Sequence, residues 1–174
     1  MEETHTIKTM PPSRRLADLE ELLETNSKKL AKFQLRLDST ASIREEFDIE
    51  CDIPKIRKAI WNYEGEYWEL LAQEARTCEV AEVEASYAIA EIVPEVEAIA
   101  NQPSTNDADE FRQLLLEIRD KLNQQELPAA AKLKAALPLI PGILSYEVEL
   151  DTEGSLRRAF QPIKRLFRRS IEKK

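Results

Sequence analysis

The residues able to do chemistry are few and scattered, and their spacing argues against catalysis. His5 is the one histidine in 174 residues. Acid–base work near neutral pH and His-based triads both need an imidazole held beside a second group. His5 lies instead in a tail that ends at Pro11-Pro12. The three glycines, Gly65, Gly142 and Gly154, stand apart, so no glycine-rich loop exists to cradle a phosphate. Cys51 and Cys78 are too few for a disulfide framework or a zinc cluster and read as reduced thiols. Carboxylates crowd together at Glu45, Glu46, Asp48, Glu50 and Asp52. A cation site there would need them to converge from one face, and a solvated acidic surface is the simpler expectation. The sequence predicts no enzyme, no cofactor and no metal centre.

Two other groups are suited to binding. Aromatic residues make up 6% of the chain, yet Trp61, Tyr63, Tyr67 and Trp68 fall within one short stretch. At helical spacing Tyr63 and Tyr67 share a seam with Ile53, Ile56, Ile60 and Leu70, and are expected in a core. Trp61 and Trp68 form a parallel stripe beside that seam. The stripe is either a second core row or an exposed anchor for a partner helix, a role in which Trp and Tyr are favoured.

The second group is basic. Residues 155–174 hold Arg157, Arg158, Lys164, Arg165, Arg168, Arg169, Lys173 and Lys174 against Glu172, a local +7. With a whole-chain charge of −8, the remainder carries −15 (−8 less +7). Leu156, Phe160, Ile163, Phe167 and Ile171 line one side of this segment, flanked by Leu166. Such a basic amphipathic helix could fold back on the acidic body, lie on an anionic membrane surface, or enter the groove of an acidic protein partner. Each cation near an anionic surface contributes on the order of 1 kcal/mol. Nucleic acid is opposed by the acidic bulk and a pI near 4.9.

The elements that position these groups are predicted mainly α-helical. Only 3 glycines, with 43% hydrophobic and 33% charged residues, suit helices better than a sandwich or a nucleotide-binding α/β fold. Leu16, Leu19, Leu23, Leu30, Phe33 and Leu37 repeat at three and four, with Asn26 in the skipped slot. That predicts a helix from Ser13 as cap to about Asp38. Asp38-Ser39-Thr40 is the turn, and Ser42 with Glu45 makes a capping box for a second helix reaching Arg76. Pro54 either kinks that helix or marks a fresh start capped by Asp52. Two long helices with a short link pack antiparallel, as a coiled-coil-like hairpin over 13–78.

Beyond it, residues 79–174 are expected to form a small helical module. Val80, Val83, Tyr87 and Ala90, with Ile89, Val93, Val96 and Ile99, predict a helix bent or broken at Pro94. A linker follows over 101–106. Asp107 with Glu110 then caps a helix bearing Phe111, Leu114, Leu115, Ile118 and Leu122. A short alanine-rich helix opens at Pro128 and ends at Pro138 and Pro141-Gly142, whose apolar surroundings suit a buried connector. Leu144, Tyr146, Val148 and Leu150 alternate with Ser145, Glu147, Glu149 and Asp151, which predicts one strand over 144–150. Its partner could be another segment, a second copy or another protein, or the stretch could lie extended on helices. The basic helix, 155–174, is interrupted at Pro162. Residues 1–12 read as a flexible tail. No basic region followed by an apolar stretch opens the chain and nothing approaches a membrane span, so a soluble cytoplasmic protein is expected.

Two stretches resemble known families. SRRLADLEELLETNSKKLAKFQLRLDST followed by IPKIRKAIWNYEGEYWELLAQ resembles the helical-hairpin effector-associated domains of bacterial conflict systems. Those adaptors sit beside NTPases, caspase-like peptidases or TIR-type effectors. AAAKLKAALPLIPGILSYEVELDTEGSLRRAFQPIKRLF is similar to a C-terminal segment of multidomain cyanobacterial proteins. The resemblance implies homotypic or heterotypic adaptor binding, with the chain itself or a signalling NTPase or protease bearing a similar hairpin as partner. It carries over no catalytic residue. The expected function is a non-catalytic adaptor in a bacterial signalling or defence assembly. The alternative is a membrane-acting effector using the basic C-terminal helix.

Overall fold

The computed structural model describes residues 10–102, 109–150 and 155–173. These residues are mainly helical, with no strand among them. The helices are α1 (Pro12–Ser39), α2 (Ile43–Ala75), α3 (Glu82–Ala100), α4 (Asp109–Leu122), α5 (Ala129–Ala136), α6 (Ile140–Leu150) and α7 (Ser155–Glu172), with a 3-10 turn, Leu137–Leu139, joining α5 to α6. His5, Pro103, Asp107 and Gly154 lie outside the described residues, as do most of the expected tail and linker.

Local chemistry explains the first turn of chain. Ser42 caps α2 by accepting from the Glu45 backbone N–H at 3.4 Å. The Glu45 carboxylate reaches back across the turn, accepting from Thr40 Oγ1 at 2.9 Å and from Arg36 at 2.6 Å. Those two hydrogen bonds, Arg36 first, hold its carboxyl below the ordinary glutamate range. The clasp brings residue 36 beside 45, while Arg15 meets Glu66 at 2.6 Å. The α1 and α2 axes therefore run in opposite directions.

Prolines do not break these helices. Pro54, Pro94 and Pro162 all lie inside continuous helices. Pro54 and Pro94 are exposed, so the carbonyls their rings leave unbonded face water. The opposite face of each helix is packed, and that burial outweighs a local cost of about 3 kcal/mol.

The strand expected over 144–150 is helix instead. Ile140, Ile143 and Leu144 are all buried, a spacing of three and four that continues the helical period from upstream. Alternation from Leu144 onward concealed this, because Pro141-Gly142 read as a stop. Pro141 in fact sits in the first turn of α6, where no helical N–H is required. A lone strand would leave its backbone groups unpaired, whereas a helix satisfies them internally. Tyr146 joins this packing, 5.6 Å ring to ring from Phe111, and donates to Glu110 at 2.8 Å.

One cluster of buried residues runs from Leu16 to Ile171. The helix α2 packs against α1 and also against α6, α7 and the 3-10 turn, while α3 packs against α7, α4 and α5. Buried side chains therefore join the elements on both sides of residues 76–79. The α3 face differs from expectation: Ala85, Ala88, Ile92, Val96 and Ala100 are buried, whereas Val83 and Tyr87 are exposed. Glu82 of α3 accepts from the backbone N–H groups of Ala129 and Ala130. It supplies the N-terminal cap that Pro128, lacking a side-chain oxygen, cannot.

Two substitutions test this account by urea denaturation. No heavy atom lies within 4 Å of a Cβ placed at Gly65, inside α2. Gly65→Ala is expected to raise stability by about 0.5–1 kcal/mol. Phe160→Ala, at a fully buried position, is expected to cost about 3–5 kcal/mol.

Candidate functional site

The aromatic group on α2 is divided by the fold. Tyr67 and Trp68 are buried, Trp68 at 1% exposure, with their rings edge to face at 6.1 Å. Phe160 of α7 lies against Trp68 at 6.5 Å, also edge to face. Tyr63 is half-buried against the core, and Trp61, at 41% exposure, is the member that stays on the surface. Of the two positions expected to form one stripe, Trp68 is a core residue and only Trp61 is accessible to a partner. The physical cause is α7, which covers the Trp68 side of α2 and leaves the Trp61 side bare.

The basic helix folds back on the acidic body. Leu156, Phe160, Ile163, Leu166, Phe167 and Ile171 are all buried, so its apolar side belongs to the core. Several of its cations are engaged with the helices beneath. Arg157 Nε stands 3.5 Å from Glu64, a carboxylate of only 6% exposure that also accepts from Trp68 Nε1 at 3.0 Å. Arg168 Nε donates to Glu20 of α1 at 2.9 Å, and the same Glu20 oxygen accepts from the Tyr67 hydroxyl at 2.7 Å. Lys164 Nζ sits 4.4 Å from the centroid of the Tyr67 ring. Arg165 reaches Glu91 of α3 at 4.0 Å, a loose exposed pair worth little. Arg158 and Arg169 are exposed.

Glu64 and Glu20 are the functional partners of this helix that sequence reasoning missed. The signal for Glu64 was present: it falls four residues after Ile60 and four before Trp68, on an apolar face. A carboxylate there is stable only if something cationic covers it. Arg157 Nε and Arg168 Nη1 are buried without a directed hydrogen bond, although acidic oxygens lie 3.5 Å and 3.3 Å away. Charge proximity, not hydrogen-bond geometry, holds those two atoms.

A cleft of about 630 Å³ runs between α3 and α7, lined by Glu84, Tyr87, Glu91, Arg165 and Arg169 among others. Its charges alternate in sign, which suits no single ion. Among the described residues no group of three or more His, Cys, Asp or Glu side chains converges to hold a metal. No helix among them is long and apolar enough to cross a membrane.

Besides Val83 and Tyr87 on α3, exposed apolar residues lie at the far end of the α1–α2 pair. None of residues 24–48 is buried, and Ile43, Phe47 and Leu35 are 83%, 65% and 70% exposed. Ile49 and Ile53 are buried there but stand outside the cluster that runs through the rest of the protein. Ile43 and Phe47 are four apart on α2, one above the other. Their type and spacing were visible in the sequence, but nothing in the pattern said that later elements would leave them bare.

Burial, and then the Glu20 carboxylate, push the Tyr67 phenol well above the ordinary tyrosine value. Its stabilisation is complete below the unfolded value of about 10 and is lost as pH climbs past it, because unfolding then releases a proton. Tyr67→Phe should cost about 1 kcal/mol at neutral pH. Denaturation midpoints above pH about 10 should show wild type losing that advantage while the variant declines less. Parallel pH profiles for the two proteins would contradict this account.

Comparison with known protein families, curated proteins and solved structures finds no match for this chain, so its function must be argued from these surfaces.

Proposed function

We propose that this chain is a non-catalytic protein-interaction module, an adaptor that binds other helices in a bacterial signalling or defence assembly. Its working part is the coiled-coil-like antiparallel hairpin over 13–78. The observation that carries this reading is the exposure of Ile43, Phe47 and Leu35 near the turn of that helix pair, where none of residues 24–48 is buried. Burying a large apolar side chain stabilises a complex by roughly 1.5–3 kcal/mol before the costs of association. Exposed apolar side chains one turn apart on a helix, as Ile43 and Phe47 are, suit the reception of another helix. Trp61, on the same helix, is the aromatic anchor. The proposed partners are the chain itself, or an NTPase or protease bearing a similar hairpin.

The membrane-acting alternative requires α7 to release Leu156, Phe160, Ile163, Leu166, Phe167 and Ile171 from the core. Lipid could rebury those side chains, but release would leave Trp68 without Phe160, and Glu64 and Glu20 without Arg157 and Arg168.

Two measurements test the adaptor reading. Titration calorimetry against an NTPase or protease encoded beside this gene should show binding that Ile43→Asp plus Phe47→Asp weakens by more than about tenfold. Binding that ignores both substitutions, or no binding to any protein including itself, overturns it. In flotation with vesicles rich in anionic lipid, the protein should stay in the unbound fraction. Co-flotation that disappears in Arg158→Glu plus Arg169→Glu would favour the membrane alternative.

A further inference from the structure

The outward face of α2 has an order that the buried face does not explain. At 100° per residue, Ile43, Phe47, Cys51, Pro54 and Trp61 fall within an arc of about 80°, well away from the buried row of Ile49, Ile53, Ile56 and Ile60. All five are exposed. From Ile43 to Trp61 the stripe makes five full turns and is about 27 Å long. Charge is distributed along it asymmetrically. Over residues 43–52 it is flanked by Glu46, Asp48 and Glu50 against Arg44, a net −2, while Glu45 and Asp52 point to the other side of the helix and pair with Arg36 and Lys55. Residues 53–63 carry Lys55, Arg57 and Lys58 with no acid, a net +3.

A helix face whose flanks are acidic at one end and basic at the other, with an apolar row between them, is complementary to itself turned end for end. We propose that the outer face of α2 pairs with the same face of a second copy, antiparallel about a two-fold axis beside Asp52. This rests on the reading of the chain as an interaction module and names the occupant of that face. With the axis there, Ile43 of one copy meets Trp61 of the other, and Phe47 packs into the neighbourhood of Pro54 and Lys58. Glu46 comes opposite Arg57 and Lys58, Asp48 comes beside Lys55, and Glu50 lies about one turn from Arg57 on the same flank. Each charged contact occurs twice, as isologous symmetry requires. A parallel arrangement would set acid against acid and base against base, so the charges select the antiparallel one.

The same register explains why the apolar residues stand at the two ends of the stripe. Ile43 and Phe47 at one end and Trp61 at the other are separated by the small Cys51 and Pro54, which allow the helices to approach near the axis. Two Cys51 thiols are thereby brought to the interface, whereas Cys78 is buried in the core.

Sedimentation equilibrium of the full chain tests the pairing, with circular dichroism confirming that each variant is folded. Wild type should show a concentration-dependent monomer–dimer equilibrium, and a short bis-maleimide should cross-link it through Cys51, with loss of the product in Cys51→Ser. Phe47→Asp should weaken dimerisation by more than about 30-fold. Glu46→Lys plus Glu50→Lys, and separately Lys55→Glu plus Lys58→Glu, should each weaken the homodimer, and mixing the two should restore a heterodimer. Wild type that stays monomeric at every concentration overturns the proposal, as does a dimer indifferent to Phe47→Asp or to the charge exchange. A monomer that still binds a neighbouring NTPase or protease, and loses that binding in Phe47→Asp, sinks self-pairing alone and leaves the adaptor reading standing.

Discussion

The packing of α7 onto α2 is the constraint from which the rest of the arrangement follows. Phe160 meets Trp68 edge to face, and Arg157 comes beside the buried Glu64 that also holds the Trp68 indole N–H. Neither half of this contact is stable alone. Without α7, Trp68 would lose the Phe160 ring, and Glu64 would lose its neighbouring cation. Without α2, Phe160 and Arg157 of α7 would lose their partners, although α3 would still pack against the helix. Aromatic burial supplies the driving force, and the charge pair fixes the register, because sliding the helices would leave a carboxylate buried without compensation.

This contact also assigns the charges of the chain. The +7 segment lies against a −15 remainder, and Arg168 with Glu20 extends the α7 contact to α1. Tyr67 is enclosed between them, donating to Glu20 with the Lys164 ammonium near its ring. Three of the cations that would have suited an anionic surface, Arg157, Lys164 and Arg168, are therefore engaged within the fold. What remains outward is the distal portion of the α1–α2 pair, where none of residues 24–48 is buried and Ile43, Phe47 and Leu35 remain exposed. Exposure is thus graded along α2: Tyr67, Trp68, Leu71 and Ala75 enter the core toward its C-terminus, while Ile43 and Phe47 face out near its N-terminus.

The helical class, the two long helices and the turn between them were legible in residues alone. Leucine spacing marks α1, and Ser42 with Glu45 marks the start of α2, because caps and periodicity are local properties of the chain. Pro54 could not be resolved locally, since its cost had to be weighed against burial on the far side of the helix. The segment 144–150 misled for a related reason: a short alternation fits either period, and only contacts with distant helices choose between them. Burial of Ile140, Ile143 and Leu144 supplied that choice.

The candidate surface followed the same division. The sequence by itself determined that Trp61 and Trp68 lie near one another on α2, and that the C-terminal helix is basic on one side and apolar on the other. Only the tertiary structure decided that Trp68 goes inward, that Trp61 stays out, and that Ile43 and Phe47 remain exposed. An amphipathic pattern records that a face needs cover, but it is silent on which other element supplies it. That depends on long-range packing, which no local spacing contains.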